Sequence, residues 1–200
     1  MRKHDAWLVD LDGTLYLPGP LRLVMAVHVA AAGPLAFRII SRFRKEHEAM
    51  RMAMLAHEPS PFEEQLVRTS RALAIDYSAV HATVIRLMFE QPLVLLPKFK
   101  RDELLREIAV FRKEGGRTAI VSDYPAKAKL EALGAAHLFD RIVACGEPDG
   151  PKRLKPAPDG FLLAAEVLGV EPSRCLVIGD RVDADGAASK AARMEFRHIR

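Results

Sequence analysis

Short apolar runs that end in polar side chains alternate with longer runs of helical spacing through the second half of this chain. Ala6-Trp7-Leu8-Val9, Arg117 to Ser122, Phe139 to Cys145 and Arg174 to Gly179 read as strands, and Phe196 to Ile199 as an edge strand. Between them, Asp102 to Glu114 repeats Leu104, Leu105, Ile108 and Phe111 at helical spacing and stops at Gly115-Gly116. Ala126 to Leu133 is a short helix closed by Gly134, and Asp159 to Leu168 is stopped by Gly169. Strands and helices in turn predict an α/β fold, a parallel sheet with helices on both faces.

Residues 17–97 carry a different pattern, helical throughout. Helices fit Leu35 to Ala56, Phe62 to Ala74 and Ser78 to Glu90. Ser60-Pro61-Phe62-Glu63 marks a helix start, with Ser60 as acceptor, Pro61 in the first turn and Glu63 completing a capping box. The change of period, with Pro18, Pro20, Pro92 and Pro97, sets the expected organisation: an α/β core in 1–16 and 98–200, interrupted by an all-α insertion in 17–97.

Leu21 to Ala32 is apolar on all sides, which packing on one side does not satisfy. It is expected to be the central helix of the insertion. The competing reading buries it in a homodimer interface or rests it on a membrane surface, beside Arg38, Arg42, Arg44 and Lys45. A membrane span through Leu21 to Ile40 is not expected. Its longest uncharged stretch, Leu23 to Phe37, contains His28, is broken by Gly33-Pro34, and at ~1.5 Å per residue covers roughly 22 Å of a ~30 Å hydrocarbon core.

The composition is permissive. The chain has 200 residues, 50% of them hydrophobic, enough for a sizeable core without staples. Its 30 basic and 26 acidic side chains leave a formal net charge of +4, which favours small anions slightly and falls short of a nucleic-acid footprint. Cys145 and Cys175 have no metal-ligand spacing and read as small core residues. Met1-Arg2-Lys3-His4-Asp5 enters the first strand without a long apolar region, so no leader is expected and a cytoplasmic location is the default.

Chemistry enters with Asp10-Leu11-Asp12-Gly13-Thr14-Leu15, where two carboxylates stand two residues apart at the end of an apolar strand and a Gly turn follows. If the strand continued, Asp10 and Asp12 would lie toward the same side. Taken alone, the motif is also compatible with a simple Asx turn. It has partners, however. Ser122 ends a second strand, Lys155-Pro156 sits in a Pro-rich loop, and Gly179-Asp180 ends a third strand and leads into Asp183 and Asp185. In an open α/β sheet, ligands collect at such strand ends.

These four motifs resemble those of the haloacid dehalogenase (HAD) superfamily: DLDGTL for the first, Ser122 for the second, Lys155 for the third and GDRVDAD for the fourth. The resemblance covers residues 1–16 and about 98–200. It implies a Rossmann-like core with the first strand central, and a helical cap domain inserted at 17–97. It also implies a phosphatase mechanism. Asp10 would attack phosphorus to give an aspartyl-phosphate, Asp12 would move protons, and Ser122 and Lys155 would contact the phosphoryl group. Like charges ~4 Å apart cost roughly 4 kcal/mol at an effective dielectric of ~20, so Asp10, Asp12 and Asp180 together require a cation. All-oxygen ligands point to Mg²⁺. By resemblance its ligands are Asp10, Asp180 and the backbone carbonyl of Asp12, with Asp185 preferred to Asp183 as the further acid.

The expected activity is hydrolysis of a small phosphorylated metabolite. Rivals are a phosphomutase or phosphotransferase of the same fold, and a weakly catalytic domain serving as an interaction or membrane-surface module. Asp12 and the acidic fourth motif argue against a dehalogenase. Two departures from the family pattern stand out: Asp123 follows Ser122 where an uncharged amide is common, and Arg193 occupies a place where Gly is frequent. His28, His47, His57 and His81 show no metal-like spacing and read as surface or core residues. Arg38, Arg42 and Arg44 read as a solvated face that is able to reach a second anion.

Overall fold

A computed structural model describes residues 3–147 and 149–200; Met1, Arg2 and Pro148, and with them part of the chain start on which the leader expectation rests, lie outside it. Five parallel strands form one sheet in the order β3-β2-β1-β4-β5. They are β1 (Ala6–Val9), β2 (Arg117–Ser122), β3 (Arg141–Ala144), β4 (Cys175–Gly179) and β5 (Glu195–His198). Alternation sends successive side chains to opposite faces. Val9, Ile120 and Ile178 pack on one face against Leu104 and Ile108 of a helix and Leu130 of another, while Leu8, Val121 and Val177 pack on the other against Phe161 and Ala188. Both faces are therefore covered, as parallel sheets require.

The helices follow chain order: α1 (Pro18–Ala31), α2 (Pro34–Ala53), α3 (Pro61–Leu73), α4 (Tyr77–Val84), α5 (Leu96–Phe99), α6 (Asp102–Lys113), α7 (Lys127–Ala132), α8 (Asp159–Leu168) and α9 (Ala187–Ala191). A π-helical stretch, Ile85–Glu90, prolongs α4, and another, Val182–Gly186, leads into α9. The first five helices lie between β1 and α6, where the sequence pattern puts the insertion, and the chain enters and leaves this stretch side by side. Leu17 N–H donates to the Phe99 carbonyl at 2.8 Å and Arg101 N–H to the Leu15 carbonyl at 2.8 Å.

Inside the insertion, Phe43, Leu66, Val80, Val84 and Leu87 are fully buried in a separate apolar cluster. Helix α1 is not the central helix that its composition suggests. Only Leu21 and Val29 are buried along it, and Leu23 is 71% exposed, because α2, α3 and α4 pack on one another and α1 lies against α2 from outside. The Ser60 cap is half of the expected box. Ser60 Oγ accepts from Glu63 N–H at 3.2 Å, but the Glu63 carboxylate turns to accept from Tyr77 Oη at 2.6 Å. Among the described residues one helical run, Tyr77–Phe99, has the length and hydropathy to cross a membrane; its Val80, Val84 and Leu87 already pack into the insertion's cluster.

Cys145 and Cys175 are buried free thiols, as their place in the strand pattern suggests, and burial pushes both upward in pKa.

Candidate active site

β1 stops at Val9, but Asp10 stays tied to the sheet, its N–H donating to the Ile178 carbonyl at 2.8 Å. The chain then turns through N–H bonds of Thr14 and Leu15 to the Leu11 carbonyl. Gly13 sits at φ +99°, and a Cβ there would collide with the carboxylate of Asp180. At the end of β4, a Cβ on Gly179 would lie 2.5 Å from Cγ of Asp185. Two glycines thus leave room for two acids.

Asp10 Oδ1 accepts from Lys155 Nζ at 2.5 Å and Oδ2 from Thr14 Oγ1 at 2.8 Å. Lys155 Nζ also donates to Asp185 Oδ1 at 2.7 Å and to the Val121 carbonyl at 3.3 Å. Asp185 Oδ2 is held by Arg181 N–H at 3.1 Å. Asp10, Asp180 and Asp185 each offer an oxygen within 4.8 Å of the others.

One ammonium faces three carboxylates here. Burial pushes Asp10 above the ordinary carboxylate range, and Asp185 adds to it despite the opposing pull of Lys155. Asp180 is raised by burial and then by Asp185. For Lys155, burial works against the charge, yet Asp10 and Asp185 outweigh it and keep the amine protonated. The uncompensated negative charge and the all-oxygen donor set fit a hard divalent cation such as Mg²⁺.

Asp12 faces elsewhere. After the turn its carboxylate points toward α7, where Lys129 Nζ donates at 2.6 and 2.8 Å, and it also accepts from Tyr16 Oη. The two acids of the motif therefore line one cavity with separate partners, because the strand ends before Asp12 instead of carrying both to one side. Burial alone would raise Asp12, but Lys129, and then Tyr16, hold it below its ordinary value. Lys129 is itself 8% exposed and lies 5.3 Å from the ring centre of Phe89 and 5.8 Å from that of Tyr124.

Ser122, 3% exposed, ends β2, its Oγ accepting from Tyr124 N–H at 3.1 Å. The acid after it does not simply add charge to the cleft. Asp123 Oδ1 accepts from Lys155 N–H at 3.0 Å and so fixes the loop that carries the lysine. Lys152 stays apart, paired with Glu58 at 3.1 Å. Asp183 is exposed and paired with Arg181 at 2.6 Å, whereas Asp185 is buried within the acidic cluster.

A cavity of about 510 Å³ lies over these groups, with the insertion as its roof. That volume suits a small ligand. From α2 come Arg44, His47, Glu48 and Arg51. Arg51, 4% exposed, donates from Nε to the Lys155 carbonyl at 2.9 Å. His47 is neither a surface residue nor a plain core residue. It stacks on Tyr124 at 4.6 Å, meets Gln65 Oε1 through Nδ1 at 3.3 Å, and lies 3.8 Å from Asp123 Oδ2. Burial lowers its pKa against the pull of Asp123. Of the three arginines on the expected solvated face, Arg44 reaches the cavity while Arg42 pairs with Glu46 at 2.5 Å.

Sequence reasoning missed Tyr16, Arg51, Tyr124 and Lys129. The spacing of Arg44, His47 and Arg51, three then four residues, was the available signal for α2, since it places them on one helix face.

The sequence model of the haloacid dehalogenase-like hydrolases matches residues 4–193. Fructose-1-phosphate phosphatase YqaB of Escherichia coli (strain K12) is 39% identical over 110 residues, 55% of this chain and 53% of that protein. Phosphoglycolate phosphatase of Aquifex aeolicus is 34% identical over 106 residues, 52% of this chain and 47% of that protein. The chain thus spans about half the length of these curated relatives. The magnesium-bound crystal structure of the HAD-hydrolase YfnB from Bacillus subtilis shares the fold, with a TM-score of 0.68 at 16% identity over 99% of this chain and 89% of that one.

Proposed function

Because this chain belongs to the haloacid dehalogenase-like hydrolase family, we propose that it is a magnesium-dependent phosphatase acting on a small phosphate monoester through an aspartyl-phosphate at Asp10. The observation that carries the reading is the buried contact of Lys155 Nζ with Asp10 at 2.5 Å, inside a cluster otherwise acidic and open to a cavity of ligand size. The names of the two phosphatase relatives support the reaction class.

Asp10, Asp180 and Asp185, with the backbone carbonyl of Asp12, would hold the cation, which when bound offsets the phosphate's charge so that an anionic nucleophile can approach. Asp10 attacks phosphorus, and the bond to the ester oxygen breaks as Asp12, in its protonated form, gives that oxygen a proton; Lys129 and Tyr16 keep that form scarce in the free site, and the second step restores it each cycle. Water then attacks the same phosphorus, Asp12 takes a proton from it, and the bond to Asp10 breaks, returning the carboxylate and releasing phosphate. Ser122 Oγ donates to a phosphoryl oxygen, and Lys155 holds Asp10 in place while adding positive charge beside the phosphate. Residues 17–97 act as the cap that roofs the site and sorts the alcohol part of the substrate.

The test is hydrolysis of p-nitrophenyl phosphate with Mg²⁺, with chelator, and by Asp10→Asn. Chelator should stop turnover, and the variant should lose about 10³-fold or more. Turnover at the wild-type rate in Asp10→Asn would overturn the nucleophile assignment.

A further inference from the structure

Helix α1 is apolar on most of its circumference, Arg22 and His28 aside, and the site uses one side of it. Leu21 and Met25 line the site cavity, Val29 packs into the insertion's cluster, and Leu23 and Val27 are exposed. Between α1 and α2 lies a second cavity of about 540 Å³, lined on its apolar side by Met25, Ala26, Val29, Phe37 and Ile40. Arg22, Met25, Arg44 and Glu48 line both cavities, so the two adjoin there.

The wall leading there is apolar apart from Arg22, Arg44 and Glu48 at the junction. Leu21, Met25, Met88, Phe89, Leu93 and Leu96 offer no side-chain hydrogen bond to an alcohol's hydroxyl groups. A polyhydroxylated body laid against them would lose its water without replacement, whereas an apolar body would gain by leaving water. The two arginines at the junction suit the other end of such a molecule. Arg22 and Arg44 are exposed and enter no ion pair among the described residues, leaving their charge available to draw an anionic head toward the floor of the site.

We propose that the substrate is a phosphate monoester of a long apolar alcohol. Its phosphate sits at Asp10, Ser122 and Lys155, and its chain passes Met25 into the groove between α1 and α2. This rests on the phosphatase reading and deepens it by naming the alcohol.

The experiment compares n-butyl, n-octyl and n-decyl phosphate, all below their micelle concentrations, with glucose 6-phosphate and p-nitrophenyl phosphate. kcat/KM should rise about two- to fourfold per methylene, carried by KM with kcat steady. Ala26→Phe alters a residue that lines only the second cavity; it should flatten that rise and leave p-nitrophenyl phosphate turnover unchanged. Phe37→Asp, at a 62% exposed position of the same groove, should do the same if Ala26→Phe fails to fold. A flat length series, or glucose 6-phosphate turned over better than n-decyl phosphate, overturns the inference. Calorimetric binding of the same alkyl phosphates to Asp10→Asn separates the two readings. Affinity that grows with chain length while the wild type hydrolyses nothing supports the ligand and overturns the phosphatase; affinity independent of length overturns the ligand.

Discussion

Lys129 Nζ donates to both carboxylate oxygens of Asp12, at 2.6 and 2.8 Å, across 117 residues of sequence. Without that ammonium, burial would be opposed only by weaker partners, and Asp12 would titrate at higher pH. Lys129→Met is therefore expected to move upward the alkaline limb of the kcat/KM profile, on which Asp12 loses the proton it gives the leaving oxygen, and to lower activity about 10- to 100-fold by freeing the carboxylate from its place. Tyr16→Phe should shift the limb the same way by less. A pH-rate profile of both variants reads this, and an unmoved limb in Lys129→Met would show that the lysine does not act through Asp12.

Three acids around a single ammonium, Asp10 and Asp185 buried and Asp180 half-buried, make the fold sensitive to divalent cations. Mg²⁺ at about a hundred times its dissociation constant should add ~2.7 kcal/mol to stability, or about 5–10 °C in Tm for a chain of this size. Asp180→Asn and Asp185→Asn should abolish the shift, while Asp183→Asn should keep it, because Asp183 is exposed and bound to Arg181. Thermal melts with and without the cation decide the assignment, and a lost shift in Asp183→Asn would reverse it.

Arg193 stands at φ +58°, between α9 and β5, with its N–H on the Lys190 carbonyl at 3.1 Å. A left-handed backbone costs a residue with a Cβ about 1–2 kcal/mol, and glycine escapes this while gaining some freedom in the unfolded chain. Arg193→Gly should raise stability by ~1 kcal/mol, seen as about 2–4 °C in Tm, with unchanged turnover. A lower Tm would mean that the arginine side chain holds the turn.

His47 predicts the acid side of the stability curve. Its pKa is lowered in the folded chain, burial outweighing Asp123, from the ~6.5 of an unfolded chain. Above pH 6.5 both states are neutral and the fold keeps its full stability. As pH falls below 6.5 the unfolded chain takes up a proton that folded His47 does not, so stability declines until the folded pKa is reached. His47→Gln removes this contribution, and its fall in Tm between pH 7.5 and 5.5 should be smaller than that of the wild type. Equal falls would place the titration elsewhere.

The sheet was legible because alternation is a local property. Leu8 and Val9 point to opposite faces wherever the strand sits, and both faces proved covered. Asp10, Lys155 and Asp185 were legible for the same reason, as strand-end or loop groups that a central first strand brings together. The direction of Asp12 was not, since it depends on where β1 stops and on a lysine of α7 that no motif marks. Helix α1 exposes another limit. An apolar circumference says that a helix prefers cover, but whether the same chain supplies it depends on how many other helices compete for the centre. Glu63 shows the local case, its capping bond given up for the hydroxyl of Tyr77.

The bond from Arg51 Nε to the Lys155 carbonyl joins α2 to the residue whose ammonium holds the Asp10 carboxylate. A rotation lifting α2 from the sheet would have to break it, pulling on the peptide of Lys155 as it does so. Lys155 is thus tied to α2 twice, through Arg51 at its carbonyl and through Asp123, which holds its N–H and faces His47 at 3.8 Å, so that a movement of α2 is carried to the group that holds Asp10.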